Sequence, residues 1–220
     1  MQPVMYDTLI IIGGLFWSIT YILIIWRGFK DKTYGMPLAA LCANISWEGI
    51  FSFIYPHSPP QLYINYVWFL IDVVIVMQFV KYEISEFPSL SKKKFIAMLL
   101  FALATCFGLV FSITREFNDW QGAYAAFGQN LMMSVLFIVM LYNRNDLRGQ
   151  SISIAVFKML GTAIISLAFY LYQPISQGSF ILPFLFITIF IYDLIYVILI
   201  YHKSNVQNMP VWHMAVSCFE

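Results

Sequence analysis

Three acidic residues, Glu48, Asp72 and Asp193, fall inside long apolar runs. A charged side chain at the centre of a bilayer costs about 2.5–3.5 kcal/mol on insertion scales. No basic residue is expected at matching depth, so each acid is expected to be protonated, hydrogen-bonded or open to an internal cavity. Glu48 lies in Cys42-Ala43-Asn44-Ile45-Ser46-Trp47-Glu48-Gly49. Asn44 is one helical turn before it and is placed to orient its carboxyl. Asp193 lies in Tyr192-Asp193-Leu194-Ile195-Tyr196, with Phe186, Phe190 and Tyr196 on roughly the same face. Asp72 follows Asn65 and Trp68 along one stripe, where it either tunes a polar cluster or joins helices.

A carboxyl group in a low-dielectric pocket keeps its proton at neutral pH and can serve as a general acid toward a weak base such as an epoxide oxygen. A second acid nearby can orient that proton. Protonating an epoxidised polyene creates a carbocation, which the faces of Trp, Tyr and Phe stabilise, and a dry chamber prevents its early capture by water. The chain has 21 Phe, 14 Tyr and 6 Trp. Lipid-facing rings and interfacial belts account for most of these, but less well for Trp47, Tyr192 and Tyr196, which flank the acids. Other chemistries find few residues to carry them. No DDxxD-type cluster suits a magnesium diphosphate site, and no HExxH suits zinc. His57, His202 and His213 read as solvated loop or tail residues. The last span has no Lys for a retinal Schiff base, and no GxSxG is present.

The elements that must position these residues are membrane helices. Of the 220 residues, 61% are hydrophobic and 10% charged, against roughly 25% charged in a soluble domain. So little charge cannot cover a globular surface, and lipid must cover most of it. The net charge of +1 argues against a nucleic-acid partner. Cys42, Cys106 and Cys218 read as small apolar fillers with no disulfide framework. The first apolar run has neither a basic flank before it nor a cleavage site after it, so it reads as a retained helix. Runs long enough to span lie at 7–27, 35–56, 62–82, 94–114, 120–142, 153–173 and 180–201. They are bounded by Arg27 to Lys32, by Pro56, Pro59 and Pro60, by Glu86-Phe87-Pro88 and by Gln173-Pro174. The expected fold is therefore all-α: one seven-helix transmembrane domain over 1–203 and a cytoplasmic tail over 204–220.

Orientation follows from the basic residues. With the N-terminus outside and the C-terminus inside, the inner loops and tail hold eleven of the twelve, Lys158 among them, and the outer loops hold only Arg115. Trp26, Trp68, Trp120, Tyr55, Tyr63 and Tyr142 fall near the expected interfaces. A faint repeat at an offset of 121 sets Leu15-Phe16 against Leu136-Phe137, Arg27-Gly28 against Arg148-Gly149, and Asp72 against Asp193. Spans 1–3 and 5–7 would then be parallel triplets joined by span 4, a 3+1+3 plan.

On these residues the chain resembles the small transmembrane terpene cyclases of fungal meroterpenoid and indole-diterpene biosynthesis and their bacterial relatives. Asn44-Ile45-Ser46-Trp47-Glu48 resembles the family's N-x-x-W-E element and is followed by Tyr55-Pro56. Trp68 to Asp72 resembles a W-x-x-x-D stretch. Gln129-Asn130, Arg148-Gly149-Gln150-Ser151 and Asp193-Leu194-Ile195-Tyr196 follow in order. The resemblance implies protonation of a terminal epoxide, or an alkene in some bacterial members, on a prenyl chain attached to an aromatic or heteroaromatic head. It implies no metal or redox cofactor. It places the two essential acids on Glu48 and Asp193 and makes Asn44, Trp47, Trp68, Asp72, Tyr192 and Tyr196 candidates for the substrate pocket. Its partners would be a hydrophobic prenylated substrate, the lipid bilayer, and a prenyltransferase and an epoxidase acting earlier. The setting would be a bacterial inner membrane or the endoplasmic reticulum. The rival readings are a 3+1+3 transporter with a Gln173-Pro174 hinge, and a receptor or accessory subunit with structural acids.

Overall fold

The computed structural model describes residues 4–82, 87 and 89–206. Glu86, Pro88, and residues 207–220 of the expected tail, with His213 and Cys218, lie outside the described residues. The described chain is helical throughout and has no strand. Its helices are α1 (Val4–Asp31), α2 (Leu38–Gly49), α3 (Gln61–Lys81), α4 (Lys92–Glu116), α5 (Ala123–Arg144), α6 (Ile152–Tyr172) and α7 (Ile181–Val206). A wider π-helical turn, Ile50–Ile54, extends α2, and a single turn, Pro174–Gln177, separates α6 from α7.

Six of the helices are long and apolar enough to cross a membrane, while Leu38–Ile54 is shorter. At 1.5 Å per residue it reaches about 25 Å, against a hydrocarbon core of about 30 Å. The continuous span expected at 35–56 is cut at both ends. Pro37 sits extended immediately before the first turn, and Tyr55 leaves helical geometry after the π turn.

The helices are built inside out relative to those of water-soluble proteins. In α3, Asn65, Trp68, Asp72, Ile75, Gln78 and Phe79 are buried at helical spacing. Tyr63, Val67, Leu70 and Met77 point outward. Apolar side chains suit lipid, so the polar stripe must face the bundle interior. Burial along α1 has the same period, through Tyr6, Ile10, Gly13, Trp17, Tyr21, Ile24 and Gly28.

Helix α1 packs on α6 and α3, α2 packs on α3, α4 and α5, and α7 packs on α5 and α6. The α1–α6 approach is close because glycines meet there. A Cβ on Gly161 would lie 2.8 Å from the Trp17 ring and 3.3 Å from the Gly13 carbonyl. Small residues of this kind let membrane helices come together. At the end opposite the start of α1, Arg27 pairs with Asp31 at 2.6 Å, and Asp31 also accepts from the Gly149 N–H at 2.8 Å.

Two expectations need correction. Lys158 does not lie in a loop; α6 begins at Ile152, so the residue is well inside the helix, 1% exposed, with Nζ 2.6 Å from Asp193 Oδ1. A basic residue therefore does meet an intramembrane acid, because the flexible lysine stem carries its charge away from its own backbone. Trp68 is not a belt residue. It is buried beside Tyr21, with its indole N–H donating to Ser18 Oγ at 3.1 Å.

Candidate active site

A cavity of about 340 Å³ enters the bundle at the end where α1 begins. Its mouth is formed by Tyr6 and Asp7, by the Pro56–Gln61 segment, and by Trp120 and Gln121. Its wall is aromatic, with Trp17, Tyr21, Trp47, Trp68, Phe127 and Phe169. Tyr21 anchors the wall: Trp17 is tilted against it at 5.6 Å, and Trp68 meets it edge-on at 6.0 Å. Asn44, Glu48, Gln129, Asn130 and Thr162 supply the polar groups.

The acid cluster is held by α2, one helical turn at a time. Asn44 and Glu48 are four residues apart and share a face, and the Asn44 amide donates to Glu48 Oε1 at 3.1 Å. The same amide nitrogen contacts the Tyr21 hydroxyl and reaches Asp72 Oδ2 at 2.9 Å. The Tyr21 hydroxyl in turn donates to Glu48 Oε1 at 3.3 Å. Helices α1, α2 and α3 thus meet at one amide. Among the described residues, Glu48 Oε2 and Asp72 Oδ1 have no hydrogen-bond partner, while the other oxygen of each carboxyl group is held by the same Asn44 amide.

Asp193 belongs to a second cluster. Lys158 Nζ donates to Asp193 Oδ1 at 2.6 Å, to Ser134 Oγ at 2.7 Å and to Asn130 Oδ1 at 3.2 Å. Neighbouring residues of α5 connect the clusters: Gln129 donates to Asn44 Oδ1 at 3.4 Å, and Asn130 donates to Thr162 Oγ1 at 2.9 Å.

The mouth is set by Gly122, which has φ +63° and opens α5. Its carbonyl accepts from the Trp47 indole at 2.9 Å, which fixes that ring in the wall. His57, expected to be solvated, instead stacks on Phe51 with ring centroids 4.8 Å apart. The Asn65 amide donates to the Phe51 carbonyl at 3.2 Å and also lies 3.0 Å from His57 Nδ1. The carbonyl fixes the amide orientation, so Nδ1 accepts and the imidazole carries its proton on Nε2. Burial pushes His57 down to about 4, which keeps the ring neutral.

Of the residues singled out in the sequence, Asn44, Trp47, Glu48 and Trp68 line the cavity. Asp72 stands behind Asn44, and Asp193 sits beside Lys158, both outside the lining. Tyr192 and Tyr196 are also outside it; Tyr196 is buried against Phe137, and its hydroxyl donates to Gln150 at 3.0 Å. Tyr21 and Lys158 were missed. Nothing in the sequence distinguishes Tyr21 from belt tyrosines, and only a depth match with Asp193 could have flagged Lys158.

Six helices long and apolar enough to cross a membrane thus accompany an internal cavity whose aromatic wall carries an acid. The chain belongs to the Pyr4-like transmembrane terpene cyclases, whose family model matches residues 1–206, and it is a membrane terpene cyclase. It is 32% identical over 210 residues to the Pyr4-family terpene cyclase mfmH of Annulohypoxylon moriforme, covering 89% of this chain and 87% of that protein. It is 30% identical to terpene cyclase macJ of Penicillium terrestre, covering 72% of this chain and 64% of that one. It is also 30% identical to asnovolin H synthase nvfL of Aspergillus novofumigatus, covering 72% and 67%. No solved structure matches it. Membership favours the cyclase over the transporter and accessory-subunit readings.

Proposed function

We propose that this cyclase protonates the terminal epoxide of a prenyl chain carried on an aromatic or heteroaromatic head, with Glu48 as the general acid. The observation that carries the assignment is that Glu48, alone of the three intramembrane acids, lines the aromatic cavity. Its Oε1 accepts from Tyr21 and Asn44, which leaves Oε2 to carry the proton. The proton passes to the epoxide oxygen and the distal C–O bond breaks. The electron pair of the next double bond closes the first ring, and each later closure moves the positive charge along the chain. Loss of a proton to a base ends the cascade, and Glu48 regains a proton. Trp17, Trp47 and Trp68 line this path, and a ring face near a cation contributes about 0.5–2 kcal/mol. An alkene-started reaction would use the same donor at the terminal double bond.

The proposal includes the membrane arrangement. Helix α2 with its π turn completes a seventh span, and the cavity mouth faces the non-cytoplasmic side. The distribution of basic residues supports this. A 3+1+3 plan is supported by the packing: α3 lies on α1 and α2 as α7 lies on α5 and α6, and α1 crosses to α6 as α5 crosses to α2. Asp72 and Asp193 then occupy matching helices, and each meets a donor from the second helix of its own triplet.

The test is conversion of an epoxyprenyl aromatic in membranes containing Glu48→Gln. A positioned general acid is worth about 10²- to 10⁴-fold, so conversion should fall at least about 100-fold with unchanged protein in the membrane. Wild-type turnover in this variant would overturn the assignment.

A further inference from the structure

The lysine–aspartate pair lies just behind the cavity wall. Lys158 and Asp193 are each 1% exposed, and neither lines the cavity. An ammonium group has three N–H donors and no lone pair. Around Lys158 Nζ stand three acceptors, from Asp193, Ser134 and Asn130, so every donor has a partner. Asn130 is thereby held by its oxygen, while its nitrogen is held by Thr162. Both Asn130 and Thr162 face the cavity. The preceding residue, Gln129, reaches the Asn44 amide that binds Glu48, Asp72 and Tyr21. The Lys158 ammonium also lies 5.7 Å from the centroid of Trp17, a wall aromatic.

We propose that Lys158 and Asp193 are positioning residues: a fixed ion pair behind the cavity wall that holds Asn130 and, through Gln129, the Glu48 cluster, with Asp193 acting as counter-ion to Lys158 and not as a proton donor. The reading rests on Glu48 as the acid. A carboxylate that accepts an ammonium hydrogen bond has no proton to give. Its charge is nonetheless needed, because removing one partner of a buried pair leaves an uncompensated ion, whereas removing both can be nearly neutral. An unpaired ammonium here would also raise the energy of a carbocation in the cavity by like-charge repulsion, which low-dielectric surroundings strengthen.

The discriminating comparison is Asp193→Asn against Lys158→Met/Asp193→Asn, assayed in membranes for conversion of an epoxyprenyl aromatic. Asp193→Asn should lose at least about 100-fold, and the double variant should recover at least about 10-fold of that, because it no longer buries a lone charge. A folded double variant as inactive as Asp193→Asn would overturn the proposal. Infrared spectra of the solubilised proteins give a readout independent of turnover. Lys158→Met should add a protonated-carboxyl band that vanishes in the double variant, while wild type and Asp193→Asn should carry the same protonated-carboxyl intensity. A wild-type band lost in Asp193→Asn would overturn the proposal whatever the activity. Glu48→Gln in parallel separates the two readings: its full activity would sink the Glu48 assignment, while the infrared comparison still reports on the ion pair.

Discussion

Asn44 has one amide and serves four partners, and that economy defines the site at the scale of single residues. Its nitrogen is in contact with Tyr21, Glu48 and Asp72, and its oxygen accepts from Gln129. An amide donates and accepts from fixed positions on a planar frame and stays neutral. It can therefore hold two carboxyl groups together without adding a charge. His57 illustrates a different residue-scale constraint. Its neutral form is built into the mouth by stacking on Phe51 and by the Asn65 bond. Its folded value of about 4 lies below the ordinary 6.5. Between those values the unfolded chain binds the proton and the folded chain does not, so stability must fall as pH falls through that window. The thermal midpoint of the detergent-solubilised protein should drop between pH 6.5 and 4, and His57→Gln should flatten that drop. Equal slopes for the two proteins would refute the neutral assignment.

Elements decide how the wall keeps its shape. The π turn after α2 lets the chain leave the helix while Phe51 and Ser52 stay buried and Tyr55 turns toward Trp120. Such single π turns recur at functional sites because they redirect a helix without breaking it. On the other side of the mouth, Gly122 takes the left-handed backbone that starts α5. A Cβ there would lie 2.2 Å from the Phe51 ring and 2.7 Å from the Trp47 indole nitrogen. Gly122→Ala therefore combines backbone strain of about 1–2 kcal/mol with overpacking of about 1–3 kcal/mol. The variant should melt several degrees lower and lose turnover, since the Trp47 ring must move. A variant with unchanged melting temperature and kcat would show that the α2–α5 contact does not set the wall.

At the scale of the whole molecule, lipid takes the place that water has around a soluble enzyme. Helix α4 shows this most plainly: of its 25 residues only Phe95, Leu99, Val110 and Thr114 are buried, while Leu100, Phe101, Phe107 and Leu109 face outward. The cavity opens at one end of the bundle, and the lysine-rich start of α4 lies at the other. If the mouth faces the non-cytoplasmic side, Ser58→Cys should react with a membrane-impermeant maleimide in sealed cells or vesicles of that orientation. Lys93→Cys should react only after lysis. The reverse pattern would invert the proposed topology.

Much of this was legible in the residues before any coordinates. Long apolar runs between charged or proline-bearing breaks admit little but membrane helices, because an unpaired backbone has no partner in lipid. The Asn44–Glu48 pair could be read directly, since four residues along one helix always share a face. The short second helix could not, because the π turn and the Pro37 start depend on what packs around them. Which acids meet was also out of reach. Periodicity says which face of a helix is polar, but not which neighbour that face meets. The sequence therefore offered Glu48 as the first choice of acid, with Asp193 as its partner or an alternative donor, and saw no cation near either. Only the crossing of α2 with α3, and of α6 with α7, put Asp72 beside Glu48 and gave Asp193 to Lys158. Both contacts join residues of different helices, so helix order and rotation settled them, and those are properties of the packed bundle.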